Sequence, residues 1–438
     1  MLDTPMPETE TVTIRRLGAR GDGLAADGTA VAYALPGERV TIAREGTRGD
    51  LVSIEEASPD RIAPFCPYFT RCGGCAVQHL APEPYAAWKR GLLAQALAQA
   101  GLPANLEPMR DARGAGRRRI TLHVRAVEGR AEAGLMAARS HALVAIDHCP
   151  ITVPALHPAP AIARALSAPL GHGRKPLDVA VTASESGLDV DLRGHGPVSE
   201  GVRAALVRLA GDLDLARLSL HGDVVVERRP VQIPSGEGRI PAAEPPSGQG
   251  PRAGLDHLLP PPGGFLQATA AGEETLTALV LAALDRKVRR VADLFAGCGP
   301  FTLALARAHE VHAVEGEAGA LAGLDRAVRS RSGLRRVTTE RRDLFRRPML
   351  AHELNAFDAV VFDPPRAGAQ AQAKQLAESR VPLVVGVACE TGTFARDAAI
   401  LVAGGYRLEQ VTPVDQFAYA PHIEMVGVFR REASRKRR

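Results

Sequence analysis

The chain of 438 residues is 45% hydrophobic and 24% charged, with a formal net charge of +5. That length implies two or three domains, and the composition is that of a soluble globular protein rather than a disordered or fibrous one. The small basic excess admits a polyanion such as RNA as partner without demanding one, and the arginine-dominated basic set is explained as well by compositional bias. "MLDTPMPETETVTI" has neither a basic n-region nor an apolar h-region, and "LTALVLAAL" is far short of a membrane span. A cytoplasmic location without membrane association is expected. There the six cysteines should be ligands, nucleophiles or core residues rather than disulfide partners.

In chain order, residues 11–56 alternate β-type stretches ("TVTIRRL", "AVAYAL", "RVTIARE", "LVSIEEA") with glycine-rich turns, the pattern of a small all-β barrel. A proline-, glycine- and cysteine-rich segment follows, then a helix in "PEPYAAWKRGLLAQALAQAG". From about 117 to 230 alternating stretches predict an antiparallel sheet region with a helix near 200–212. "PSGEGRIPAAEPPSGQGPRAG" has no periodicity and reads as a linker. Beyond it, strands and helices alternate for some 170 residues, which predicts a doubly wound α/β domain.

Within that domain the strand of "VADLFAGCGPFTLALA" runs through Asp293 into Gly297-Cys298-Gly299 and a helix, so a ligand can approach the backbone at the carboxyl edge of the sheet. A dinucleotide fingerprint would need glycine at 302, where Thr302 stands. Glu315 ends the next strand, placed to accept hydrogen bonds from ribose hydroxyls, and Asp343 and Asp363 end the third and fourth. The serial placement favours a class I methyltransferase over other nucleotide-binding α/β enzymes. Arg366 follows the two prolines after Asp363, where amino-nitrogen methyltransferases carry an aromatic residue. Cys66, Cys72 and Cys75 form C-x5-C-x2-C, with Cys149 later in "IDHCPI". Four thiolates can hold zinc or an iron–sulfur cluster; a zinc ribbon would show two C-x2-C pairs, and one is present. Cys389, after "VVGVA", reads by itself as packing rather than as a reactive thiol.

The N-terminal barrel, "CGGC", "DLFAGCGPFTLALA", "DPPR" and the Cys389 stretch, in this order, resemble the RNA uracil-C5 methyltransferases, in the subgroup with a TRAM domain and a 4Fe-4S cluster. The resemblance covers essentially the whole chain and is weakest in the middle third. It implies an α/β architecture: a TRAM-like RNA-binding β-barrel at 1–58, a cluster-binding α+β region at 59–260, a class I (Rossmann-like) S-adenosylmethionine-dependent methyltransferase domain at 261–433, and a basic tail at 434–438. It further implies a 4Fe-4S cluster on Cys66, Cys72, Cys75 and Cys149, and S-adenosylmethionine contacts from Gln267, Phe295, Glu315, Asp343 and Asp363. Cys389 matches the family's nucleophile and Glu424, in "VDQFAYAPHIEMV", its base. Thr269, Pro300, Ala418 and Ala420 depart from the family pattern, and "GAGRRRITL" lacks the tyrosine of a Tyr-Arg motif.

The chemistry implied is addition of the Cys389 thiolate to uracil C6, attack of C5 on a sulfonium methyl, and removal of the C5 proton by Glu424. A helix starting at Thr391 or Thr393 would favour the thiolate. Asp363 could serve either the uracil edge or the cofactor, His422 could orient the base, and Phe394 or Tyr419 could stack on a flipped base, with a core role favoured for Phe394. Phosphate contacts are expected from "RRLGARGDG" and from the five arginines between 110 and 119. The expected partner is RNA, ribosomal ahead of transfer RNA, with the enzyme a monomer. An amino-nitrogen methyltransferase and a noncatalytic iron–sulfur RNA-binding protein are the competing readings.

Overall fold

The computed structural model describes residues 9–102, 105–127, 130–171, 176–235 and 256–431. The basic tail and most of the linker, residues 236–254, lie outside the described residues. The chain forms two compact units: Met1–Leu92 with Leu135–Ile146 and Phe417–His422, and Leu93–Gly134 with Asp147–Gln416 and Ile423–Arg438. Among the described residues no helix is long and apolar enough to cross a membrane.

The first unit holds a closed barrel of five strands, Thr9–Leu17, Gly23–Ala25, Ala30–Val31, Arg39–Glu45 and Arg48–Glu56. Its inward residues, Ile14, Val31, Val40 and Ile42, are fully buried, as the two-residue period of the strands requires. Glu38, also fully buried, is neutralised by a two-pronged pair with Arg61, at 2.5 Å from Nε and 2.8 Å from Nη2. Arg15, Arg16 and Arg20 remain exposed on or beside the first strand. Cys66, Cys72 and Cys75 follow the barrel, and the Cys72 sulfur accepts the Gly74 N–H at 3.4 Å.

The second unit contains two large sheets besides the short antiparallel pair Ile233–Ser235 and Asp256–Leu258. In the smaller of the two large sheets, Leu177–Ser184 pairs antiparallel with Arg119–Val127 and with Gly187–Arg193. The sheet is antiparallel as expected but for one pair: Gly187–Arg193 and Arg217–Leu220 run parallel, because the expected helix, Glu200–Asp212, carries the chain back between them. A helix at Ala159–Ser167 escaped the sequence pattern, since prolines at 158 and 160 open it and mimic a loop.

The larger sheet carries the candidate site. Its strands are β1 (Arg290–Leu294), β2 (Glu310–Glu315), β3 (Val337–Arg341), β4 (Ala359–Phe362), β5 (Leu383–Ala388), β6 (Tyr406–Asp415) and β7 (Glu424–Arg431). Their order is β3-β2-β1-β4-β5-β7-β6, with the two-residue strand Arg110–Asp111 beyond β6. β1 to β5 are parallel, and β7 inserts antiparallel between β5 and β6. Successive residues alternate between two buried layers, Val360, Phe362 and Val384 on one face and Ala359, Val361 and Val385 on the other. Burial on both faces is why these strands read as near-continuous apolar runs. Phe394 is 3% exposed in the first layer, with its ring 6.3 Å from Phe429, so it packs in the core and cannot stack on a base.

Candidate active site

The carboxyl ends of β1 to β5 meet along one edge, the place where open α/β sheets bind their ligands. After β1 the backbone turns sharply. Phe295, a non-glycine residue, adopts φ = 61°, followed by Gly297 at 55° and Gly299 at 89°. Left-handed backbone at an aromatic residue costs roughly 1–3 kcal/mol and persists where the surroundings enforce it. Pro300 then opens the helix Pro300–Leu305, where its missing N–H costs nothing.

Glu315, at the end of β2, accepts the Gly297 N–H at 2.9 Å and the Glu317 N–H at 2.7 Å, so its carboxylate is pinned beside the glycine turn. Asp343 is fixed likewise by Phe345 N–H at 3.0 Å, and the half-exposed Phe345 ring lies 5.4 Å from that of Phe295. An open cleft of about 380 Å³ begins here, lined by Phe265, Gln267, Glu273, Phe295, Cys298 and Asp363 among others. Gln267, 2% exposed, donates from Nε2 to Asp363 Oδ2 at 2.8 Å. Burial pushes the Asp363 carboxyl up to about 7.

Cys389 directly follows β5. The antiparallel register with β7 ends at Ala388 and Met425, so Cys389 leaves β5 at the end where β7 begins with Glu424, whose charge acts on the thiol. Glu424 is 2% exposed; Gln416 Nε2 donates to its Oε1 at 3.0 Å, while Oε2 has no partner among the described residues. Burial, then the charge of Asp363, raises its carboxyl well above the ordinary range.

The Cys389 thiol does not behave as the sequence suggests. Burial and then the carboxylates of Glu424 and Asp363 push it up to about 12, against the charge of Arg366, which lowers it. The following helix, Thr391–Ala403, starts after Glu390 with no side-chain cap, so neither threonine caps it. Thr393 Oγ1 donates instead to Arg366 O at 3.1 Å, Arg396 Nη2 donates to Ala367 O at 3.0 Å, and Asp397 accepts the Ala369 N–H at 2.6 Å. That helix therefore grips the loop after Asp363 and fixes Arg366 relative to the thiol. The signs give a test. Glu424→Gln removes a charge that disfavours the thiolate and should speed alkylation of Cys389 at pH 9 by roughly 3- to 10-fold. Arg366→Ala should slow it, and equal rates in both variants would show that neither charge reaches the sulfur.

Three residues of the site were not singled out by sequence. Arg118, 6% exposed, donates from Nε to Gln267 O at 2.9 Å and pairs with Glu273, a buried acid of the cleft wall. Arg119 donates to Gly264 O at 2.7 Å. Two of the five arginines expected to face phosphate thus turn inward to hold the Gln267 segment. Gln416 links Gln267 to Glu424. Gln416 follows a strand that already carries Glu409, Gln410, Thr412 and Asp415, so no local pattern marked it.

A family model described as tRNA (Uracil-5-)-methyltransferase matches residues 261–432. An uncharacterised RNA methyltransferase of Brucella suis is 45% identical over 424 residues, covering 96% of this chain and 98% of the relative. The 23S rRNA (uracil(1939)-C(5))-methyltransferase RlmD of Chromohalobacter salexigens is 34% identical over 443 residues, covering 97% of this chain and 90% of that protein. The chain belongs to the RNA uracil-C5 methyltransferase family. Among solved structures, the tRNA (uracil-54, C5)-methyltransferase of Pyrococcus abyssi, in complex with S-adenosyl-L-homocysteine, has a TM-score of 0.71 at 20% identity, covering 96% of this chain and 99% of that one. The likeness shows that this uracil-C5 methyltransferase shares that fold, with the small barrel and the class I sheet both present.

The cysteines of this methyltransferase are less decisive. Cys66, Cys72, Cys75 and Cys149 are all partly exposed and outside any disulfide, which suits thiolate ligands. Among the described residues, however, no three or more Cys, His, Asp or Glu side chains are grouped to hold a metal.

Proposed function

We propose that the enzyme methylates C5 of a uridine in structured RNA, with Cys389 as the nucleophile that adds to C6 and Glu424 as the acceptor of the C5 proton. A cysteine at the end of β5, within reach of the charge of a buried carboxylate that has one oxygen unpartnered among the described residues, and beside the cleft of Gln267 and Asp363, carries this reading. S-Adenosylmethionine, when bound, supplies an electrophilic methyl group on a sulfonium. The residues that would hold it are Gln267, Phe295, Glu315, Asp343 and Asp363: a glycine turn open to the ligand, carboxylates for hydroxyl and amino groups, and an aromatic face.

The protein's part follows from its electrostatics. A thiol pushed up to about 12 rests protonated, and the burial that raises it disfavours charge on sulfur. Addition to C6 passes that charge to the uracil carbonyl, so thiol deprotonation and attack belong together. Arg366 lies close enough to lower the thiol and favours the developing anion. Glu424, ionised, then takes the C5 proton, and the C6–S bond breaks as the ring regains its double bond. RNA carrying tritium at uridine C5 tests the reading: tritium should leave in step with methyl incorporation, and methylation with full retention of tritium would refute it.

Ribosomal RNA is favoured by the 34%-identical relative, a 23S rRNA methyltransferase; transfer RNA is the second reading, favoured by the description of the family model. The exposed arginines of the barrel are proposed phosphate contacts. The division at 58 and 260, a monomeric state and a cytoplasmic location belong to the same proposal. So does the 4Fe-4S cluster on the four cysteines read from sequence, supported by three cysteines within ten residues and an N–H aimed at the sulfur of Cys72. Protein purified without oxygen should carry four irons per chain, as the ligand count requires, and Cys72→Ala should lose them. Protein purified in this way that carries no iron would refute the cluster.

A further inference from the structure

Gln416, 1% exposed, makes three hydrogen bonds in the middle of the site. Its orientation follows from the first. The Ala268 backbone N–H can only donate, so the atom it meets at 2.9 Å is the amide oxygen, and Nε2 points the other way. Nε2 donates to Gln267 Oε1 at 2.7 Å and to Glu424 Oε1 at 3.0 Å. Because Gln267 accepts through Oε1, its own NH2 is turned to Asp363 Oδ2, at 2.8 Å. One backbone N–H thereby sets the orientation of Gln416, Gln267 and, through them, both carboxylates. A side chain at Gly272 would run into Gln416, so the amide takes this place only because glycine leaves it open.

We infer that Gln416 is a positioning residue for the reaction: it occupies Glu424 Oε1, leaves Oε2 as the proton-accepting atom, and locks Gln267 for the cofactor side. The inference rests on the proposed role of Glu424 as base. The groups that act on Glu424 are Asp363 and Arg366 from the loop after β4 and Gln416 from the end of β6, with the Cys389 thiol within reach of its charge. Loss of the Gln416 N–H removes an interaction that favours the carboxylate, so the pH at which Glu424 becomes an effective base should move upward.

The test follows the methylated covalent enzyme–RNA complex in a single turnover over a range of pH, in wild type, Glu424→Gln and Gln416→Met. Met keeps the chain length and abolishes all three hydrogen bonds. Gly272→Ala, which displaces the amide without deleting it, is run alongside in case Gln416→Met folds poorly by thermal melt. Either Gln416→Met or Gly272→Ala should form the complex at a rate within about threefold of wild type but release it some 10- to 100-fold more slowly, within the range for impaired base catalysis. The pH midpoint for release should shift upward and the KM for S-adenosylmethionine should rise. If Glu424→Gln fails to accumulate the complex, Glu424 is not the base and the inference falls with that reading. If Glu424→Gln accumulates it while both other variants release it at wild-type rate and pH midpoint, only the role of Gln416 is overturned.

Discussion

Cys389→Ser is expected to lower methyl transfer to RNA by on the order of 10⁴-fold or more, with binding of S-adenosylmethionine unchanged within about twofold. Serine preserves the size and polarity of the position. Its hydroxyl is a far weaker nucleophile, and the same burial that pushes the thiol up to about 12 disfavours an alkoxide still more. The residues proposed to hold the cofactor lie on the glycine turn, the ends of β2 to β4 and the Gln267 segment, so its affinity should survive. Near wild-type transfer in Cys389→Ser would instead favour direct attack by an amino nitrogen, the competing enzyme reading. Titration of S-adenosylmethionine and single-turnover methyl transfer, measured on the same preparation, separate these cases.

Glu424→Gln should act at the opposite end of the reaction. Methyl transfer to the ring can proceed once C6 carries the sulfur, but the C5 proton then has no acceptor. Product release should fall by about 10²- to 10⁴-fold, and the methylated enzyme–RNA complex should accumulate on a denaturing gel. The substitution is nearly isosteric and leaves an oxygen for the Gln416 N–H, so the fold should not suffer. If Glu424→Gln forms no complex, the assignment of Glu424 as the acceptor of the C5 proton falls.

Much of this site was legible in the sequence because it sits at strand ends. Parallel strands covered on both faces read as apolar runs, and Asp363 and Cys389 each mark the residue where such a run meets the ligand edge; Glu315 and Asp343 stand at or just beyond the ends of the more polar outer strands. What sequence could not supply are contacts made by segments far apart in the chain. Gln416 and Gln267 are 149 residues apart, and Arg118 and Glu273 155; each pair exists only because the fold closes around the Gln267 segment. Local rules failed where tertiary contacts overrode them. Thr393 faces a helix start, yet its hydroxyl serves the loop of Arg366. Arg118 and Arg119 stand in a basic run, yet carbonyls and a buried acid claim them. Burial and two carboxylates that no local pattern brings to Cys389 work against the thiolate that the following helix was expected to favour.

RNA in which uridine is replaced by 5-fluorouridine tests the central claim most directly. Fluorine occupies the position of the C5 proton and cannot leave as a cation, so after methyl transfer the C6–S bond has no route to break. Incubated with this RNA and S-adenosylmethionine, the wild-type enzyme should form a denaturation-stable complex. Mass spectrometry should place a methylated fluorouridine on the peptide bearing Cys389, and Cys389→Ala should form none. Methylation of ordinary RNA with no such adduct on fluorinated RNA, or an adduct that persists in Cys389→Ala, would contradict the account.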